Sequence, residues 1–406
     1  MPVCVKSEVG PLKKVLLHRP GRELEKLVPG DMERMLFDDI PYLKRAQKEH
    51  DQFAQTLRSN GAEVVYLEDL LVQVLENPLL RRHFIKQLIM EAGPASERFR
   101  HGLYDYLMGI EDSRLLVSEA ISGVDASRVR GTSHPLVDLV KTHRASVLDP
   151  MPNLYFTRDP FAMIGSGVSL NRMYSTARRR ETILGQYVLE YHPYFAGKIK
   201  FYYRRDLPYN IEGGDILNIG PHTVMVGISQ RTSPEGVETL AGNIFSDPES
   251  EIDSVIVLDI PSMRAFMHLD TVFTQVDVDK FMVYPGILGG LHCYELTPGT
   301  ETEPVKAREL DESLQSILAR KTGAGSASLI KCGGDDRIAS EREQWNDGSN
   351  TLCIEPGKVI VYDRNYVTNE LLEKNNVEVI EIQSSELSRG RGGPRCMSMP
   401  LERELL

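Results

Sequence analysis

The sequence repeats one arrangement: a short apolar run, an amphipathic helix and a second apolar run. The first copy starts at Lys14-Val15-Leu16-Leu17-His18, after which Leu43, Ala46, Phe53, Ala54 and Leu57 recur at helical spacing. Pro41 suits the start of that helix and Asn60-Gly61 its end, and residues 62–67 follow as a strand. The last copy reads almost identically, with Lys358-Val359-Ile360-Val361-Tyr362, a helix over 368–374, Asn375-Asn376 and a strand over 377–382. A third copy runs 223–228, a helix opened by Ser233-Pro234, then 254–259. A fourth runs 280–284, a helix over 311–322 ended by Gly323, then 327–331. The weakest is the second, at 161–170, 181–191 and 198–203. Five such units predict an α/β propeller or array. The plainer alternative is an ordinary α/β sheet, in which strand, helix and strand also recur.

The spacing is broken once, at about residues 71–144, where the pattern turns helical. Asn77-Pro78 reads as an N-cap followed by proline in the first turn, and Leu80, Phe84, Ile85, Leu88 and Ile89 form an apolar stripe. Further helices are expected over 97–110, 113–121 and 135–142, punctuated by Gly93-Pro94 and Ser122-Gly123. The expected organisation is one discontinuous α/β domain, 1–70 and 147–406, carrying an inserted helical bundle at 71–146. The apolar stripes of the insertion are expected to be core.

Composition narrows the function classes. With 47 Lys+Arg against 58 Asp+Glu, the formal charge of −11 disfavours sequence-independent nucleic-acid binding but would not repel a small cation. No apolar run is long enough to span a membrane, and the N-terminus lacks the apolar core of a signal peptide. The five cysteines, Cys4, Cys293, Cys332, Cys353 and Cys396, are odd in number and scattered, which points to a reducing cytoplasm rather than a disulfide framework.

Four segments join polar residues to tight turns at the edges of the units: Asn153 to Pro160, Asn210 to Asp215, Phe266 to Thr271, and Arg389 to Met397. In a closed ring these positions converge on one axis. Cys396 follows three glycines in a segment with arginines, a setting that lets backbone approach a ligand and favours thiolate over an inert buried thiol. If its segment is extended, His268 shares a face with Asp270. Asp159, Glu212, Asp215 and Asp270 brought near one axis would repel unless a cation lay between them, and a planar guanidinium matches paired carboxylates. A thiol, a histidine and carboxylates therefore suit guanidinium chemistry. Three alternatives stay open at this point: a thiol peptide hydrolase, a metal-dependent hydrolase using His268 and Asp270, and a non-catalytic binding protein. Gly392-Gly393 has neither phosphate-loop spacing, so nucleotide binding is weakly supported.

At these segments the chain resembles bacterial arginine deiminases. The resemblance is carried by NLYFTRDP beginning at Asn153, IEGGD at Ile211, MHLDTVF at Met267 and RGRGGPRCMSMP at Arg389. KVLLHRPG, LFDDIP from Leu36 and REQWNDGSNTL from Arg342 fit as well. It implies a five-bladed α/β propeller with a helical insertion, and hydrolysis of L-arginine by water to L-citrulline and ammonia without metal or organic cofactor. It further implies Cys396 as nucleophile, His268 as general acid and base, and Asp159 and Asp270 as holders of the guanidinium. Glu212 would orient His268 and the substrate. Asn153, Arg178 and Arg231 would contact the amino-acid end, Phe156 would form an apolar wall, and Arg391 would be a mobile arginine that occupies the empty site. A cytoplasmic homo-oligomer, dimer or larger, is the implied assembly. Arg395 receives no role.

Overall fold

The computed structural model describes residues 3–131 and 146–406. The helix expected over 135–142 lies outside the described residues.

The crossover pairs follow the sequence pattern closely. Leu12–Leu17 leads through the helix Leu43–Ser59 to a parallel partner, Glu63–Tyr66. Gly167–Leu170, Glu181–Tyr191 and Lys200–Tyr203 form the second such unit. Thr223–Ile228, Pro234–Phe245 and Ser254–Asp259 form the third. Lys280–Val283, Leu314–Thr322 and Ser328–Lys331 form the fourth, and Lys358–Tyr362, Tyr366–Lys374 and Glu378–Ile382 the fifth. Parallel neighbours need a long connection, and a helix supplies it while covering a sheet face.

Local chemistry explains the helix ends. Ser233 Oγ accepts from the Gly236 N–H at 3.2 Å, with Pro234 in the first turn. The fourth helix starts at Leu314 rather than 311 because Ser313 caps it, accepting from the Ser316 N–H, and Gly323 ends it at φ 72°.

Each unit also carries an antiparallel strand that the periodicity did not show. Phe161–Ile164, Ile216–Gly220, Phe273–Gln275 and Leu352–Glu355 fill this place in units two to five. In unit one it is the C-terminal strand Met399–Arg403, which pairs with Leu12–Leu17 and so joins the two ends of the chain. The expected single run 161–170 is therefore a hairpin, turned at Gly165 with φ 56°. A second hairpin, His292–Pro298 with Val305–Glu309, extends the third sheet to five strands. The helix Arg337–Trp345 is also new. Its sequence, RIASEREQW, has no apolar stripe, and Asp336 caps it by accepting from the Ala339 N–H at 2.7 Å.

The interruption is helical, with Leu67–Leu75, Pro78–Met90, Arg100–Met108 and Ser113–Ser122. Asn77 Oδ1 accepts from the Leu79 and Leu80 N–H groups, as its position before Pro78 suggests. Phe84, Ile85, Leu88 and Ile89 are buried, and one apolar core continues from them into the helix Glu181–Tyr191, where Phe84 meets Tyr187 edge-on at 5.2 Å. The expectation of core rather than a partner surface holds for these four side chains. No helix among the described residues is long and apolar enough to cross a membrane.

Candidate active site

The four sequence-distant segments meet in one buried place. His268 Nε2 lies 2.8 Å from Glu212 Oε2, and its Nδ1 lies 3.8 Å from Asp159 Oδ1. The Cys396 thiol donates to Asp270 Oδ2 at 3.4 Å, and the Arg158 N–H donates to the Cys396 carbonyl at 3.1 Å. All five residues, Asp159, Glu212, His268, Asp270 and Cys396, are at most 3% exposed.

The turns let these groups approach. A Cβ on Gly214 would lie 2.7 Å from the His268 ring, and one on Gly392 would lie 2.4 Å from the Phe156 ring. The condition for His268 and Asp270 to share a face, an extended segment, is not met: His268 is extended, but Leu269–Thr271 is a single 3-10 turn. That turn sends Asp270 to Cys396 and leaves His268 with Glu212. Asp215 braces it, accepting from the Leu269 N–H at 2.7 Å and from the Ser229 and Thr232 hydroxyls at 2.7 and 2.6 Å. Burial pushes the Asp215 carboxyl up to about 7 against these bonds. Asp215 is therefore a support beneath the site.

The protonation states follow from charge and burial. Burial alone would lower the His268 imidazole, but the Asp159 charge and the Glu212 hydrogen bond outweigh it and raise the ring to about 9. Burial would raise Glu212, but Arg231 and His268 bring it down to about 2. The thiolate expected at Cys396 is corrected. Burial, followed by the Asp270, Asp159 and Asp347 charges, pushes the thiol well above its ordinary value, and Arg395 does not compensate. The reason is where the nearby arginines point. Arg395 binds Asp270 Oδ2 at 2.8 Å and Glu8 at 3.0 and 3.2 Å, and Arg389 pairs with Asp39 and Glu386.

Arg391, in a left-handed conformation at φ 61°, lays its guanidinium 3.5 Å above the Trp345 ring, with Asp38 at 3.9 Å, and hydrogen-bonds to neither Asp159 nor Asp270. Arg178 lies against the acids instead. It binds Asp159 Oδ2 at 2.5 Å and Glu181 at 2.8 Å, and donates to the Asn153 and Phe156 carbonyls at 3.3 and 3.4 Å. Arg231 is held more loosely, 3.5 Å from Glu212 and 3.7 Å from Met267 Sδ. Asn153 donates to the Met35 carbonyl, and the Phe156 ring packs beside Tyr155 at 4.0 Å.

Asp159, Glu212 and His268 bring one ligand atom each within 4.8 Å of one another, a spacing compatible with a metal ion. The charges of these acids are already matched by Arg178, Arg231 and the imidazolium, which suits a hydrogen-bonding role. Several buried carboxylate oxygens have no hydrogen-bond partner among the described residues, namely Asp159 Oδ1, Asp270 Oδ1, Glu181 Oε1 and both oxygens of Asp347, and the first two belong to the acids that meet His268 and Cys396.

A family model described as arginine deiminase matches residues 33–403. The chain belongs to the arginine deiminase family. It is 55% identical to the arginine deiminase of Treponema denticola, with 99% of this chain and 98% of the relative covered. To that of Clostridium perfringens it is 51% identical, with 98% of each covered. The fold is also shared with more distant solved structures. One is the dimethylarginine dimethylaminohydrolase of Pseudomonas aeruginosa complexed with citrulline, at TM-score 0.52 and 16% identity, covering 96% of this chain and 99% of that one. Another is SxtG, an amidinotransferase of Microseira wollei, at TM-score 0.55 and 15% identity, covering 100% and 98%. The fold is thus a mixed α/β fold shared with these two structures.

Within this family fold, sequence reasoning passed over several residues that shape the site. Asn350 accepts from the Cys396 N–H at 3.0 Å and donates to the Asp270 carbonyl at 2.9 Å. Glu181 holds Arg178, and Arg395 with Glu8 holds Asp270. Asn350 lies in the motif from Arg342, which was a usable signal. Glu8 and Glu181 stand in no motif and had none.

Proposed function

We propose that this chain is an arginine deiminase, hydrolysing L-arginine to L-citrulline and ammonia through a covalent intermediate on Cys396. The observation that carries the reading is the pair of unpartnered buried acceptors, Asp159 Oδ1 and Asp270 Oδ1, beside a thiol and an imidazolium. An unmet buried acceptor is costly, and a guanidinium offers planar donors with the opposite charge. Bound there, it also offsets two of the carboxylates that, together with burial, hold the Cys396 thiol protonated, so substrate binding itself favours the thiolate.

The Cys396 proton passes to solvent as the guanidinium binds, and the sulfur then attacks the guanidinium carbon, which Asp159 and Asp270 position. His268, protonated at neutral pH, gives its proton to the departing nitrogen, which leaves as ammonia. A thiouronium on Cys396 remains. The neutral imidazole next takes a proton from water, the resulting hydroxide adds to the same carbon, the C–S bond breaks, and the proton left on the product oxygen returns to the sulfur as citrulline is released. Glu212 holds His268 in line. Arg231, with its long contacts, and Arg178 and Asn153 are assigned to the amino-acid end of the substrate, Phe156 to an apolar wall and Arg391 to the mobile arginine of the resemblance. No metal or organic cofactor enters this scheme. The same reading takes the five sheets of the repeated units as blades of one propeller, with 1–70 and 147–406 as the catalytic domain and 71–146 as an insertion. It also includes a homo-oligomer of two or more chains and a cytoplasmic place, on the family resemblance and on five free cysteines.

Purified protein is expected to form citrulline from L-arginine and to show no comparable activity on agmatine, which lacks the carboxylate that Arg178 and Arg231 would bind. Turnover of agmatine with none on arginine overturns the substrate assignment. A second expectation follows from the protonated thiol. In the absence of arginine at neutral pH, a neutral haloacetamide should alkylate Cys396 slowly and a cationic haloacetamidine much faster, since its amidinium compensates the same carboxylates. Mass spectrometry of the labelled chain reads this, and equal rates for the two reagents would show that a reactive thiolate is already present.

A further inference from the structure

The segment 171–180 has two sides. Toward the site, Asn171 donates to the Asp159 carbonyl at 2.7 Å, the Tyr174 N–H donates to Glu212 Oε1 at 2.9 Å, and Arg178 binds Asp159. Away from the site, the same segment lines a cavity of about 680 Å³ between the helical insertion and the second unit. None of the five site residues lines this cavity.

Five arginines line it: Arg34, Arg172, Arg179, Arg180 and Arg205. Of its three acids, two are already matched. Asp149 is bound by Arg34 at 2.5 Å, and Glu91 is bound by Arg205 through both carboxylate oxygens. Asp206 is exposed. Arg172, Arg179 and Arg180 have no carboxylate within 4.0 Å among the described residues, and the acids that act on them from further away, Glu91 on Arg179 and Asp149, Glu181 and Glu91 on Arg180, form no ion pair with them. Arg180 is only 4% exposed. Its Nη2 donates to the Asp149 carbonyl at 2.7 Å while its Nη1 has no partner, and Arg172 Nε has none either. Burial, then the Arg172 charge, lowers Arg179 against Glu91, and burial lowers Arg180 against Asp149, Glu181 and Glu91. Like charges gathered in a cavity with donors unmet are costly unless an anion completes them.

We propose that this cavity is a second binding site, distinct from the reaction centre, for a small phosphate-class anion held by Arg172, Arg179 and Arg180. Tetrahedral oxyanions suit forked guanidinium donors, and the three arginines supply them from one short segment. The anion is either free phosphate or the phosphoryl group of a small ester.

Isothermal titration of the full chain with inorganic phosphate, and separately with glycerol phosphate, tests this at an ionic strength held constant with chloride. Saturable binding is expected. The double variant Arg172→Ala, Arg179→Ala should weaken it by at least about tenfold, because two charge-assisted contacts are lost. Cys396→Ala should leave it unchanged. Tighter binding of free phosphate assigns the free anion, and tighter binding of the ester assigns a phosphorylated molecule. Heat no different from the chloride control, unchanged affinity in the double variant, or one-for-one displacement by L-arginine overturns the proposal. If the double variant does not fold by circular dichroism, Arg179→Gln at a partly buried position carries the same test, and unchanged affinity there overturns the proposal equally.

Discussion

Cys396→Ala is expected to abolish citrulline formation while the protein still folds and binds arginine. The side chain is 3% exposed and meets Asp270 through its thiol, so truncation removes one sulfur and one weak donor from a site otherwise held by backbone and charged contacts. The Cys396 N–H still donates to Asn350, and its carbonyl still accepts from Arg158. Asp159 and Asp270 also remain to receive the guanidinium. What goes is the atom that bonds to carbon, and loss of a nucleophile typically costs ~10⁴-fold or more in turnover. Arginine binding, measured by calorimetry, should stay within about tenfold of wild type. Citrulline formation above about 1% of the wild-type rate would sink the nucleophile assignment. Loss of both activity and arginine binding would instead give Cys396 a structural role.

The largest effect on stability is expected outside the motifs, at Glu8. Its carboxylate, 5% exposed, receives Arg395 through two hydrogen bonds and accepts from the Asn218 N–H at 3.2 Å. Burial would raise Glu8, but Arg395, Arg158 and Arg403 outweigh it and lower it from 4.5 to about 2. Glu8→Ala leaves Arg395, 1% exposed, with only Asp270 as its acid partner among the described residues, and breaking such a buried pair costs about 3–5 kcal/mol. The urea midpoint should fall with an unchanged slope. The pH dependence has a defined sign. A folded-state value below the unfolded one stabilises fully above about 4.5 and is lost as pH falls toward 2. The gap between wild type and Glu8→Ala should therefore hold at neutral pH and narrow below 4.5. A gap that stays constant through that range would mean that packing, rather than charge, is what Glu8 contributes.

Glu8 and Arg395 mark where reading by sequence stops. Helices and crossover strands were legible because periodicity is local: Leu43 to Leu57 declares an apolar face whatever it packs against, and 223–228 and 254–259 come out as strands at the expected bounds. The four segments were legible as candidates because turns beside polar residues are also local signals. The antiparallel strands were not. Phe273–Gln275 has three residues, too few to show alternation, and Met399–Arg403 becomes a strand only when it meets the N-terminal strand nearly a whole chain away.

Sequence by itself determined the repeated units, the helical interruption, the four converging segments and, through its motifs, the family. Only the tertiary structure decided the charge states and the pairing of the arginines. Arg395 and Arg391 sit close to Cys396 in the chain, yet one turns to Glu8 and Asp270 and the other to Trp345, so the thiol is governed by acids from other segments. Electrostatic energy depends on distance through space and on burial, and neither is a property of neighbours in sequence.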